Sequence, residues 1–276
     1  MRRQRGRWVG LVAAAVLVGA MAADSALRLV TTEYEVPSGK LPAAFDGFRI
    51  VQLSDLHGVS FGRANARLLE RVAAAAPDLI ALTGDLADRN TDLSVVDDLL
   101  AGLSGIAPVY LVSGNHEWSD RMITPLKALF AAHGVVYLRN SAVSLARSGA
   151  HIILCGVEDP NGPADQPAPD AVAAAARADD PEAYLVLLGH RNDFYEKYPD
   201  LDADLVLCGH AHGGVVRLPF LGGVIGHGEF FADNLAGIRR SGGYTLVISR
   251  GLGNGGVPIP RLLNNPELVV ITLRRA

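Results

Sequence analysis

The chain has 276 residues, 49% of them hydrophobic and 20% charged, which suffices for one large α/β domain. Its formal charge of −4 includes +4 from four arginines near the N-terminus, so the remainder carries −8, and a nucleic-acid backbone is excluded as a partner. Only Cys155 and Cys208 are present, each inside an apolar run, so neither a disulfide framework nor a thiolate metal cage is available.

Residues 1–23 form a leader. Arg2, Arg3, Arg5 and Arg7 precede an uncharged stretch from Trp8 to Ala23. That length falls between a signal-peptide core and a full membrane span. Ala20-Met21-Ala22 offers small residues for cleavage, so a removed signal and a retained anchor are both open. The arginines favour a cytoplasmic N-terminus, with the rest of the chain outside the cytoplasmic membrane. Secretion after cleavage is the alternative. Residues 24–46 read as a linker with a leading strand, and 47–276 as a single domain.

Along that domain, short β-branched runs alternate with amphipathic stretches. The strands are expected at 48–55, 78–85, 108–115, 183–190 and 203–210, and the helices at 63–76, 91–103, 120–133 and 169–178. Such alternation indicates a largely parallel sheet covered on both faces. The runs 243–252 and 266–273 have no helix between them and are expected to add in antiparallel fashion, giving mixed sheets. The Pro- and Asp-rich stretch 158–170 reads as a surface loop.

Five of these strands end in polar side chains: Asp55 and His57, Asp85, Asn115 and His116, His190, and His210 and His212. Five of the eight histidines stand there, leaving His133, His151 and His227 elsewhere. In open α/β sheets ligands gather at the carboxyl ends of strands, so the strands position one shared polar cluster. Asp55/His57 and His210/His212 are spaced i, i+2, which in an extended segment aims both members to one side.

Asp, Asn and His without Cys suit Mn, Fe or Zn. Asp55, His57, Asp85, Asn115, His190, His210 and His212 are too many ligands for one tetrahedral ion. They fit two ions about 3.5–4 Å apart bridged by one carboxylate. Two divalent ions and two aspartates leave a surplus of positive charge, suited to a bridging hydroxide and an anionic ester. His116 is placed to stabilise or protonate the leaving oxygen, and Glu117 to orient its neighbours. Arg217 is a candidate phosphate contact. A set of idle polar turns is excluded by the cost of burying unpartnered polar groups.

The motifs SDLHG (54–58), GDLAD (84–88), GNHE (114–117), GH (189–190) and GHAHGG (209–214) together resemble the ordered set of the calcineurin-like metallophosphoesterases, over residues 47–276. The resemblance implies a four-layer α-β-β-α sandwich, with two mixed β-sheets flanked by helices, and a di-metal site. It implies that Asp55, His57, Asp85 and His212 hold one ion, while Asp85, Asn115, His190 and His210 hold the other. SDLHG, GHAHGGVVRLP (209–219) and the C-terminal run further resemble the bacterial membrane-associated, YkuE- and YaeI-like branch. LLGHRNDF, Val215 and Pro260 depart from that branch's pattern without removing a ligand.

The expected activity is phosphodiester hydrolysis by a monomer, on a small-molecule or lipid-like phosphoester, with the membrane engaged through the N-terminal segment. The alternatives are a pyrophosphatase acting on a nucleotide-sugar or lipid-linked substrate resembling UDP-diacylglucosamine, and a non-catalytic metal-bound interaction module. The apolar segment 218–231, with Phe220, Phe230 and Phe231, follows a ligand motif directly. It is either ordinary packing or a lip for an acylated substrate.

Overall fold

Strands buried on both faces need apolar residues at every position, and the central strands here have them. Leu79–Thr83 and Leu185–Leu188 are buried throughout. The computed structural model describes residues 2–226, 229–241, 243–255 and 259–276. Its helices are α1 (Arg2–Leu27), α2 (Ala66–Ala74), α3 (Leu93–Ser104), α4 (Asn115–Ser119), α5 (Ile123–Ala132), α6 (Pro169–Ala176) and α7 (Phe194–Lys197).

One six-stranded sheet runs in the order β1 (Val30–Ser38), β16 (Glu267–Arg275), β2 (Arg49–Leu53), β3 (Leu79–Thr83), β4 (Val109–Val112) and β5 (Val136–Tyr137). The other runs β14 (Gly237–Ser241), β15 (Tyr244–Ile248), β9 (Leu205–Cys208), β8 (Leu185–Leu188), β7 (Ala150–Gly156) and β6 (Ser141–Arg147). Between β9 and β14 lie two small hairpins, β10 (Arg217–Leu218) with β11 (Gly222–Gly223), and β12 (Ile225–Gly226) with β13 (Glu229–Phe230).

Alternation along each strand separates three cores. Ile50, Leu79 and Ala81 face Val186, Leu188, Leu205 and Leu207 between the sheets. Their neighbours Val51, Ile80 and Leu82 turn outward against Leu68, Leu99 and Phe130 of α2, α3 and α5. On the far side Cys155, Leu185 and Cys208 pack on Val172 and Phe194 of α6 and α7. The result is the four-layer sandwich with two mixed sheets, and both cysteines are buried in strands.

One expectation fails in part. β16 is antiparallel to β2, as anticipated, but β15 lies parallel to β9. A parallel pair needs a long crossover, usually a helix. Here the irregular segment carrying the two small hairpins serves instead, so the missing helix was a misleading sign. The C-terminal ends of β2, β3 and β4 meet those of β8 and β9 along one seam. Behind it, Gln52 Nε2 donates to Cys208 O at 2.8 Å and to Thr83 Oγ1 at 3.1 Å, tying the two sheets together.

Candidate metal centre

Each of the five strand ends delivers its polar residues to this seam. The loops after β2 and β3 are laced together: Asp55 N donates to Gly84 O at 2.9 Å and His57 N to Asp85 O at 3.0 Å. Gly84, at φ 87°, permits the close approach. A side chain there would come within 2.6 Å of Gly114 N and 2.7 Å of His190 Nδ1. A side chain on Gly114 would overlap the Asp85 carboxylate.

The i, i+2 pairs reach the site by a different route from the extended one expected. Asp55 (φ 52°), His57 (φ 48°), Asp85 (φ 55°), His210 (φ 70°) and His212 (φ 49°) are all left-handed. Such strain is held in place by surrounding structure and gathers at functional sites. Asp55 and His57 still converge, but His210 and His212 diverge: Asp55, His57 and His212 form one group of potential ligands, and Asp85, His190 and His210 a second. In each group the ligand atoms lie within 4.8 Å of one another. Asp85 joins the groups. Its Oδ2 stands 3.6 Å from His57 Nε2 and 3.3 Å from His190 Nε2. Asn115 Oδ1 is 3.1 Å from His190 Nε2, beside the second group.

The donor set fits metal ions on two counts. Both ring nitrogens of His57 and Nδ1 of His212 are buried with no hydrogen-bond partner, an arrangement that is costly unless a cation takes them. Burial also depresses these imidazoles, His57 to about 4 and His212 to about 3, with the Arg261 charge adding to the effect on His212. They are therefore neutral ligands at physiological pH. His190 donates Nδ1–H to Thr83 O at 2.8 Å, which fixes the ring with Nε2 toward Asp85. Burial opposes charge on His190, but Asp85 overrides it and lifts the imidazole to about 10. Burial likewise works against the Asp85 carboxylate, yet His190 holds it below the usual range. Burial raises Asp55. A cation entering the second group must displace the proton of His190.

His116 sits at the start of α4. Its backbone N donates to Asp85 Oδ1 at 2.9 Å, and its Nδ1 is 2.9 Å from Asp120 Oδ2. Burial lowers its basicity, but the Asp120 hydrogen bond and the nearby carboxylates raise it more. Glu117 is buried, and its carboxylate accepts N–H groups from both Asp85 and Gly114.

Arg217 lies on β10, shortly after His212. Its Nη1 donates to Gly213 O at 2.9 Å, so it braces the loop after His212. Arg191, which the motifs leave out, reaches a potential ligand directly. It grips buried Asp159 through Nε and Nη2, and its Nη1 lies 3.0 Å from His210 Nε2. Its position directly after His190 was the available signal. A cleft of ≈ 240 Å³ opens beside His190 and Arg191, lined in part by Pro163, Gln166 and Phe194. Arg261, also unflagged, is buried and donates to Gly253 O and Arg250 O, holding the loop that covers Asp55 and His212. In segment 218–231, Phe220 is fully exposed and Phe231 half-exposed, so simple core packing does not account for them. His227, Gly228 and the Phe230 side chain lie outside the described residues.

Residues 48–214 match the calcineurin-like phosphoesterase family, and the chain belongs to it. Fold and paired ligand groups together define a di-metal-dependent hydrolase. Among its relatives, metallophosphoesterase YkuE of Bacillus subtilis is 31% identical over 253 residues, covering 88% of this chain and 85% of YkuE. A metallophosphoesterase of Aquifex aeolicus is 31% identical over 269 residues, covering 94% and 97%. Phosphodiesterase YaeI of Escherichia coli is 30% identical over 242 residues, covering 82% of each chain.

Proposed function

We propose that this chain hydrolyses phosphodiesters outside the cytoplasmic membrane, using two divalent ions drawn from Mn, Fe and Zn. Asp55, His57, Asp85 and His212 would hold one ion, and Asp85, Asn115, His190 and His210 the other. The observation that carries this reading is the single Asp85 oxygen within reach of histidines from both groups. When bound, such ions neutralise ester charge and lower the pKa of water toward 7.

The protein's own residues supply the rest. Two aspartates cannot cancel the charge of two divalent ions, so the centre attracts the ester's anionic oxygens. His116, partly exposed and hydrogen-bonded to Asp120, holds the proton that the leaving oxygen requires. The Arg191 guanidinium, fixed by Asp159, supports orientation of a phosphate oxygen on the side of His210. The name of the E. coli relative favours a diester over a monoester.

The helix stretch Gly10–Leu27, of mean hydropathy 1.9, is long and apolar enough to cross a membrane, a property that signal sequences share. Retention as an anchor is part of this reading. It predicts an intact mass that includes Met1–Ala22 for protein purified from membranes.

The activity test compares bis-p-nitrophenyl phosphate with p-nitrophenyl phosphate in added Mn²⁺, for wild type and Asp85→Asn. The diester should be turned over faster, and the variant should fall to background. A wild type inactive toward both in every metal would favour the non-catalytic module instead.

A further inference from the structure

Exposed apolar side chains are unevenly distributed over this molecule. Outside α1, and among the described residues, the large ones are Val59, Leu218, Phe220, Leu221, Phe231 and Ile259, together with Leu263 and Val136. All but Val136 lie on loops that carry potential metal ligands or pack against them. Val59 follows His57 and Gly58. Leu218, Phe220 and Leu221 form the β10–β11 hairpin that begins after His212. Ile259 and Leu263 belong to the segment whose Leu262 receives Arg217 N–H at 3.0 Å. The body thus gathers its exposed apolar side chains into a rim on the loops around His57 and His212, where a soluble enzyme with a charged substrate has least reason to place one.

The same rim is tied to the end of α1. Ser25 is fully buried, and its Oγ lies 3.3 Å from Asn264 N. Asn265 Nδ2 donates to Asp24 O at 2.8 Å. Asn264 in turn donates through Nδ2 to His212 O at 2.7 Å and Val215 O at 3.1 Å. One loop therefore connects the C-terminal end of an apolar helix, a potential metal ligand, and the stem of the exposed hairpin. If the helix lies in a bilayer, its end emerges at the lipid surface, and the hairpin emerges beside it.

We infer that the rim formed by Leu218, Phe220, Leu221, Phe231, Ile259 and Leu263 seats in the interfacial layer of a bilayer, so that the site receives phosphoesters carried on lipids. The lipid surface is the occupant because the rim is continuous with an element that is itself apolar enough to span one. Aromatic and aliphatic side chains gain when moved from water to the acyl boundary. Membrane seating stands on geometry alone, while the substrate half of the inference rests on the hydrolase reading above.

The test uses the full chain in nanodiscs of phosphatidylcholine and phosphatidylglycerol. A nitroxide is placed at Phe220→Cys, with Ser148→Cys on an exposed turn as the control, the native Cys155 and Cys208 being buried. The label at 220 should be more accessible to oxygen, and less accessible to a water-soluble nickel chelate, than the label at 148. Equal accessibility at the two positions would overturn the inference, as would spin–spin broadening at 220 that reveals a second copy on the rim. In parallel, the double variant Phe220→Asp/Leu221→Asp should turn over dioleoylphosphatidyl-p-nitrophenol in vesicles roughly tenfold or more slowly than wild type. Bis-p-nitrophenyl phosphate turnover should stay within about twofold, since the hairpin tip touches no reacting group. Equal losses on both chromogens would contradict the lipid assignment. A wild type inactive on both would defeat the hydrolase reading, and the label would still decide membrane seating.

Discussion

Glu117 Oε2 accepts the backbone N–H of Asp85 at 2.9 Å and that of Gly114 at 2.8 Å, while Oε1 accepts Leu86 N–H at 2.6 Å. One buried carboxylate thereby clamps the turn after β3 to the turn after β4, and those turns carry Asp85 and Asn115. Burial and then the Asp85 charge push Glu117 up to about 7, against the pull of these donors. Glu117→Gln keeps the shape but leaves one donor-facing oxygen in place of two. Metal affinity should fall by roughly 10–100-fold, as for other groups that orient ligands. Titration of the metal-free protein with Mn²⁺ measures it, and unchanged affinity would remove Glu117 from the account.

The Asp85–His190 pair makes the metal-free protein sensitive to pH. His190 rises from 6.5 to about 10, so its contribution to stability is complete below about 6.5 and disappears as pH climbs through 10. Asp85 is lowered, so its own contribution is present above its ordinary value and lost only in acid. In chelator-treated samples, the Tm difference between wild type and His190→Gln should therefore be largest near pH 6 and shrink toward pH 10. A difference that grows over that range contradicts the pairing.

Far from the site, Arg177 is buried and pairs with Asp202 and Asp204, and Asp204 Oδ2 also accepts Leu185 N–H at 2.8 Å. Removing the cation leaves the largely buried Asp204, which precedes β9 and caps the first N–H of β8, with only the half-exposed Lys40 at 3.9 Å. Arg177→Ala should lose about 3–5 kcal/mol of stability, read by urea unfolding of the metal-loaded protein. A loss below about 1 kcal/mol would mark the pair as an ordinary surface contact.

His116 offers a kinetic test. As proton donor, it matters most when the leaving alkoxide is basic. His116→Asn should slow poor leaving groups by about 10²–10⁴-fold and p-nitrophenolate esters far less. Equal losses across leaving groups would assign His116 to binding instead of proton transfer. Because His116 is raised and active when protonated, wild-type turnover should fall as pH rises through its pKa.

Much of this site is legible in the chain because chemistry and topology agree there. Strands buried on both faces announce themselves as continuous apolar runs, and a polar residue at the end of such a run has few alternative explanations. The left-handed turns at Asp55, Asp85 and His210 leave no comparable trace, since αL conformation in non-glycine residues is imposed by neighbours. Arg191 is obscured for a related reason: its partner Asp159 lies 32 residues away and identifies itself only once β7 and β8 are paired. The parallel docking of β15 on β9 depends on a crossover without a helix, which periodicity cannot display.

Two cations sharing the Asp85 carboxylate are the core of the proposed chemistry. Anomalous diffraction from Mn²⁺-loaded crystals tests this most directly. Two peaks about 3.5–4 Å apart, one on each side of Asp85, are predicted. A single peak, or two peaks with no shared carboxylate between them, would contradict it.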